Sequence, residues 1–162
     1  MVSIPPGRPR RRGVLAAGAL AVALAGCSGE TERKRTERRD AERGRALRRE
    51  AAGQSAALLE RYRATIAAHP ALSERLAPMR GHVARHLDAF GGPRASGADA
   101  RTARPAPVPG DEDAALKELA AAERETARAR GRALTGAPPE LARLLASVAA
   151  AGEVHAYLLG EA

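Results

Sequence analysis

The sequence predicts an all-α protein, a four-helix bundle with one long crossover between its second and third helices. Three observations predict it. Apolar residues recur at intervals of three and four from Leu47 to Leu159 and nowhere alternate as they would in a half-buried strand. Breaks at His69-Pro70, Gly91-Gly92-Pro93 and Gly136-Ala137-Pro138-Pro139 cut that pattern into four segments. The middle two segments are separated by residues 91–110, which carry four prolines, four glycines and almost no apolar period.

Each helix has its own stripe. In the first, Leu47, Ala51, Ser55, Leu58, Tyr62 and Ile66 mark one face, and Pro70, at a first helical position, permits an immediate restart after His69. The second carries Leu72, Leu76, Met79, Val83, His86 and Phe90; Pro78 inside it predicts a kink or a late start. Asp111 reads as the N-cap of the third, with Glu112 and Asp113 suited to its positive end. Leu116, Leu119, Ala120, Glu123, Ala127, Arg130 and Leu134 form its inner face. The fourth follows a short turn and presents Leu141, Leu144, Leu145, Val148, Gly152, His155 and Leu159. A twenty-residue helix is about 30 Å long, and twenty extended residues reach about 66 Å, so residues 91–110 can run back along the whole bundle and leave helices 2 and 3 parallel. The core is rich in alanine, with one Phe and two Tyr in the chain, so modest apolar burial and limited stability are expected, helped by self-association or by the crossover.

Ahead of the bundle, Arg10-Arg11-Arg12 precede an apolar run from Gly13 to Ala25. That run is shorter than the about 20 residues a membrane-spanning helix requires, and basic residues followed by a short apolar stretch and small residues give the order of an export signal. Its ending, Leu24-Ala25-Gly26-Cys27, resembles the lipobox of bacterial lipoproteins. The resemblance implies a diacylglyceryl group on the Cys27 thiol and cleavage just before it. Arg11-Arg12-Gly13-Val14-Leu15 also resembles a twin-arginine signal, so the folded-protein route and ordinary secretory export both stay open. Cys27 is the chain's one cysteine and has no disulfide partner within it.

The organisation expected on this basis is a cleaved signal over 1–26, a lipidated cysteine and charged membrane-proximal stalk over 27–45, and a helical domain over 46–162 with the crossover at 91–110. Removing residues 1–26 halves the formal charge from +8 to +4. Three of those remaining charges lie in residues 28–50, where nine basic side chains are interleaved with six acidic ones and no aromatic. Such a stretch opposes phosphate and cannot stack a base, which removes nucleic acid as a partner. Opposite charges at helical spacing, as between Arg33 and Glu37, suit a solvated stalk beside the lipid, where basic residues add attraction to anionic head groups.

Three polar residues fall on apolar stripes. At about 100° per residue, His86, Glu123 and His155 each lie within about 40° of the centre of their helix's inner face. Burying a charged group unpaired costs several kcal/mol, so the three are expected to meet. Here the chain resembles the ferritin-like superfamily, which places a Glu on helix 1, Glu-x-x-His on helix 2, a Glu on helix 3 and Glu-x-x-His on helix 4. His86, Glu123 and His155 match three of those positions. Val83 and Gly152 stand where the other motif glutamates belong, and Gln54 faces inward where helix 1 supplies its own. A di-iron centre needs bridging carboxylates that one Glu does not replace, so a ferroxidase is not expected.

The remaining set reads as a buried, hydrogen-bonded His-Glu-His cluster that fixes helix register, with Gly152 leaving room for a neighbouring side chain. The alternative is one metal ion held by His86, Glu123 and His155, with water completing its shell. His82 and His86 have the spacing of a two-histidine metal pair, but His82 lies at the stripe's edge and reads as a boundary residue. No nucleophile elbow or phosphate-binding glycine loop is present. The expected function is therefore non-catalytic binding or scaffolding at the extracytoplasmic face of the cell membrane, with no cofactor, through the lipid anchor and an envelope protein partner. An interaction role predicts an exposed apolar strip on the bundle.

Overall fold

The computed structural model describes residues 14–95 and 107–160, with side chains described for 29–94 and 107–160. Every regular element among them is helical: α1 (Val14–Ala68), α2 (Ser73–Ala89), the single turn α3 (Gly92–Ala95), α4 (Glu112–Ala133) and α5 (Pro139–Gly160). No helix among the described residues is long and apolar enough to cross a membrane. The basic block before Gly13, the Cys27 side chain and most of the 91–110 connection lie outside what is described.

Two compact units divide the chain, with the boundary between Asp40 and Ala41. In the first, the described backbone is helical throughout. Its exposed side chains pair along one helix, Lys34 with Glu30 at 2.8 Å and Arg33 with Glu37 at 3.7 Å, the i,i+4 arrangement that steadies a helix lacking a buried face.

The second unit holds the core, to which all four long helices contribute. Ala51, Ala52, Leu58, Leu59 and Tyr62 come from α1, Leu76, Met79, Val83 and Leu87 from α2, Leu116, Leu119 and Ala120 from α4, and Leu141, Leu145, Val148, Ala156 and Leu159 from α5. The stripes expected from periodicity are these faces. α1 stops where His69, ahead of Pro70, leaves the helical region at φ −130° and ψ 76°, the restriction that proline imposes on its predecessor. A turn of 3₁₀ helix over Pro70–Leu72 leads straight into α2. α2 begins at Ser73, ahead of Pro78, so the proline is carried inside the helix and does not delay its start. Gly91 and Gly92 end it with φ of 111° and 69°, backbone that a side chain would strain. Asp111 caps α4, its Oδ1 accepting from the Ala114 N–H at 2.8 Å.

Paired contacts give the helix directions. Ser55 and Tyr62 of α1 meet Arg130 and Glu123 of α4, in reverse order along the two chains. His155 and Leu158 of α5 meet His82 and Arg75 of α2, again reversed. Phe90, just past the end of α2, lies under the Arg130 guanidinium near the end of α4, with 5.7 Å to the ring centroid. At the other end His69 donates from Nε2 to the Pro109 carbonyl at 2.8 Å, placing the end of α1 beside the start of α4. α2 and α4 therefore run in the same direction.

Close approach at one glycine ties α1 to the turn before α5. A Cβ on Gly44 would sit 2.9 Å from Cγ of the Pro138 ring, which has no flexible end to move aside. Gly44→Leu is expected to destabilise the protein by about 1–3 kcal/mol, the usual cost of forcing extra bulk into a packed contact. A chemical-denaturation midpoint equal to that of the parent chain would contradict this.

Candidate functional site

Three buried residues of the core, Tyr62, Glu123 and His155, form a chain of hydrogen bonds that ends on His82. Glu123, on α4, is 1 % exposed. Its Oε1 accepts from the Tyr62 hydroxyl of α1 at 2.8 Å and from His155 Nδ1–H of α5 at 2.9 Å. The second nitrogen of His155, Nε2, lies 3.1 Å from Nδ1 of His82 on α2. With the Nδ1 proton of His155 committed to the carboxylate, a neutral His155 presents a lone pair at Nε2 and His82 donates to it. Tyr62 and His155 are buried and His82 is exposed, so the chain leads from the middle of the core to the surface. Gly152 makes room for it: a Cβ there would stand 3.3 Å from both Glu123 Oε2 and the Ala127 Cβ.

These surroundings fix the charge states of several neighbours. Burial, and then the Glu123 charge and hydrogen bond, push the Tyr62 phenol far above its ordinary range, so it stays a donor. Burial, reinforced by the Arg130 charge and weaker contributions from His155, His82 and Arg85, pulls His86 down to about 4. Desolvation, then Arg85 and His155, lower His82 below the ordinary histidine value. Arg130, only 2 % exposed, is lowered to about 10 by burial, with the Glu123 charge acting in the opposite sense. Its Nη2 donates to Ser55 Oγ at 2.8 Å and its Nε is buried without a partner.

Of the three residues singled out by their place on apolar stripes, Glu123 and His155 meet directly. His86 does not join them. Its ring stacks on that of His155 with centroids 6.2 Å apart and planes at 21°, and it makes no hydrogen bond within the cluster. Position explains this: both nitrogens of His155 are already engaged, one by Glu123 and one by His82. The third imidazole is that of His82, the residue read as a boundary histidine. α1 contributes Tyr62, while Gln54, the residue expected to face inward from helix 1, sits outside the cluster with Nε2 3.4 Å from Glu50 Oε1. Among the described residues no three of His, Cys, Asp and Glu are arranged to hold a metal ion. His86, Glu123 and His155 are thus a stack and a hydrogen bond, without the convergence a shared ion needs.

The sequence marks Tyr62 only as a stripe residue; the signal for its role in the site is that a buried phenol hydroxyl needs a partner. His82 carried a weaker signal, since the edge of a stripe can face either solvent or a neighbouring helix.

Outside the cluster, α2 and α5 flank an open groove of about 500 Å³. Pro78, Met79, Ala151, Val154 and Leu158 line it, with Arg75, His82 and His155 as its polar members. Val154, Tyr157 and Leu158 are 56 %, 63 % and 49 % exposed, an apolar strip at helical spacing beside the groove. Arg75 donates from Nη2 to the Leu158 carbonyl at 3.0 Å and so satisfies one of the carbonyls left free near the end of α5. The chain matches no family model, no curated protein and no solved structure.

Proposed function

We propose that the chain is an exported lipoprotein, held at the extracytoplasmic face of the cell membrane by a lipid on Cys27, whose helical part is a non-catalytic binding module. The carrying observation for binding is the groove between α2 and α5, where exposed Val154 and Leu158 border a concave surface that reaches a buried imidazole. The site's own chemistry favours binding over turnover, because Tyr62, Glu123, His155 and His82 are spent on one another and hold one arrangement. We read the helices as a four-helix bundle of ferritin-like plan. The parallel course of α2 and α4 supports that plan, in which a hydrogen-bonded cluster occupies the place of the metal centre.

The anchor reading rests on Arg10-Arg11-Arg12, the short apolar run and Leu24-Ala25-Gly26-Cys27. Expressed in a bacterium with a lipoprotein pathway, the chain is expected in the membrane fraction with its first 26 residues removed. Cys27→Ser is expected to release it from that fraction or leave it unprocessed. A Cys27→Ser chain that is both membrane-bound and fully processed contradicts the assignment.

A further inference from the structure

His82 Nδ1 and His155 Nε2 face each other at 3.1 Å across the groove floor, with ring centroids 5.3 Å apart and planes at 21°. Met79 lines the same groove, three residues before His82 and therefore on the same face of α2. Behind His155, the Nδ1–H donates to Glu123, and Tyr62 holds the same carboxylate oxygen. That is the support a metal-binding histidine ordinarily has: a carboxylate on the far nitrogen fixes the tautomer and turns the near nitrogen's lone pair toward the ion. Here the lone pair is turned toward a second imidazole and an open groove.

We propose that this groove binds one cuprous ion through His155 Nε2, His82 Nδ1 and the Met79 thioether. The proposal rests on reading the groove as the binding face and names what it takes. Imidazole and thioether are donors that suit copper(I). Neither carboxylate nor thiolate lines the groove, while Arg75 does and the Arg85 charge bears on His82. A divalent ion would meet those cations with no anionic ligand of its own. A single positive charge meets half the repulsion from them that a double charge would. Zinc in addition wants four ligands, commonly three or more from the protein. Glu123 is a positioning residue and His86 is no ligand, which separates this site from one built on His86, Glu123 and His155. With both rings neutral, the proton on His82 Nδ1 moves to Nε2 as the ion enters, so ligation changes a tautomer and releases no net proton.

The test is an anaerobic titration of the full chain, in detergent, with copper(I) in competition with a chromophoric copper(I) chelator. One ion per chain is expected. His82→Ala is expected to weaken binding beyond the about ten- to hundredfold typical of losing an outer partner. Met79→Leu conserves volume and keeps the fold, and is expected to weaken binding about tenfold, within the same range. His86→Ala is expected to bind as the parent does. No copper(I) bound above the His82→Ala level, or zinc bound as tightly at the same residues, overturns the proposal. Far-UV circular dichroism checks that the exposed His82 can be changed without loss of fold. The Cys27→Ser fractionation reads the anchor independently, so failure of the metal site is distinguishable from failure of the lipoprotein reading.

Discussion

Glu123→Ala is expected to cost about 3–5 kcal/mol, the range for removing one partner of a buried charged network. The loss has two parts. The Tyr62 hydroxyl and the His155 Nδ1–H, both buried, lose the single oxygen they share. A cavity is also left between α1, α4 and α5, lined on one side by Gly152, which has no side chain to fill it. For a domain of this size the thermal midpoint should fall by about 10–20 °C. Glu123→Gln keeps an acceptor oxygen and the shape, and should cost about 1–3 kcal/mol. If the two variants melt together, the carboxylate's hydrogen bonds do not hold these helices.

The second large effect is a loss of stability in mild acid that is traceable to His86. Its folded pKa, about 4, lies below the unfolded value near 6.5, so the unfolded chain binds the proton more readily between those limits. Stability from this group is complete above the unfolded value and is lost as pH falls through that window. Between about pH 7 and about pH 5 the loss is about 2 kcal/mol, by the linkage of one shifted site. The cause is physical and local: a protonated ring would be half-buried beside Arg130, which is itself a buried cation. Denaturation of the parent chain and of His86→Gln at the two pH values isolates this contribution, since the carboxylates titrate alike in both. Parallel losses in the two chains would show that His86 is not the sensitive group.

The helices were legible from periodicity because the stripes are long and the breaks are chemically sharp. Pro70 with its predecessor His69, the paired Gly91 and Gly92, and the Asp111 cap each act through a few adjacent residues, so local sequence suffices to place them. Pro78 was less legible. Pro78, the sixth residue of α2, gives up the helical hydrogen bond to the Glu74 carbonyl, and packing of Leu76, Met79 and Val83 on the core offsets that cost. In the site, Glu123 and His155 could be read as an inward pair because burial demands partners. The replacement of His86 by His82 could not, since positions four apart differ by only about 40° around α2, and periodicity does not resolve which of the two imidazoles reaches α5. The groove was equally hidden: Val154, Tyr157 and Leu158 form a second apolar face on α5, and only the packed structure shows them exposed among the described residues.

The central claim is that buried Glu123 fixes the His155 ring and aims its free nitrogen at His82 in the groove. Long-range ¹H–¹⁵N NMR of the histidine rings tests it most directly. The account predicts a slowly exchanging proton on Nδ1 of His155 near neutral pH, and its loss of protection in Glu123→Gln. A rapidly exchanging His155 ring, or one protonated on Nε2 alone, would contradict it.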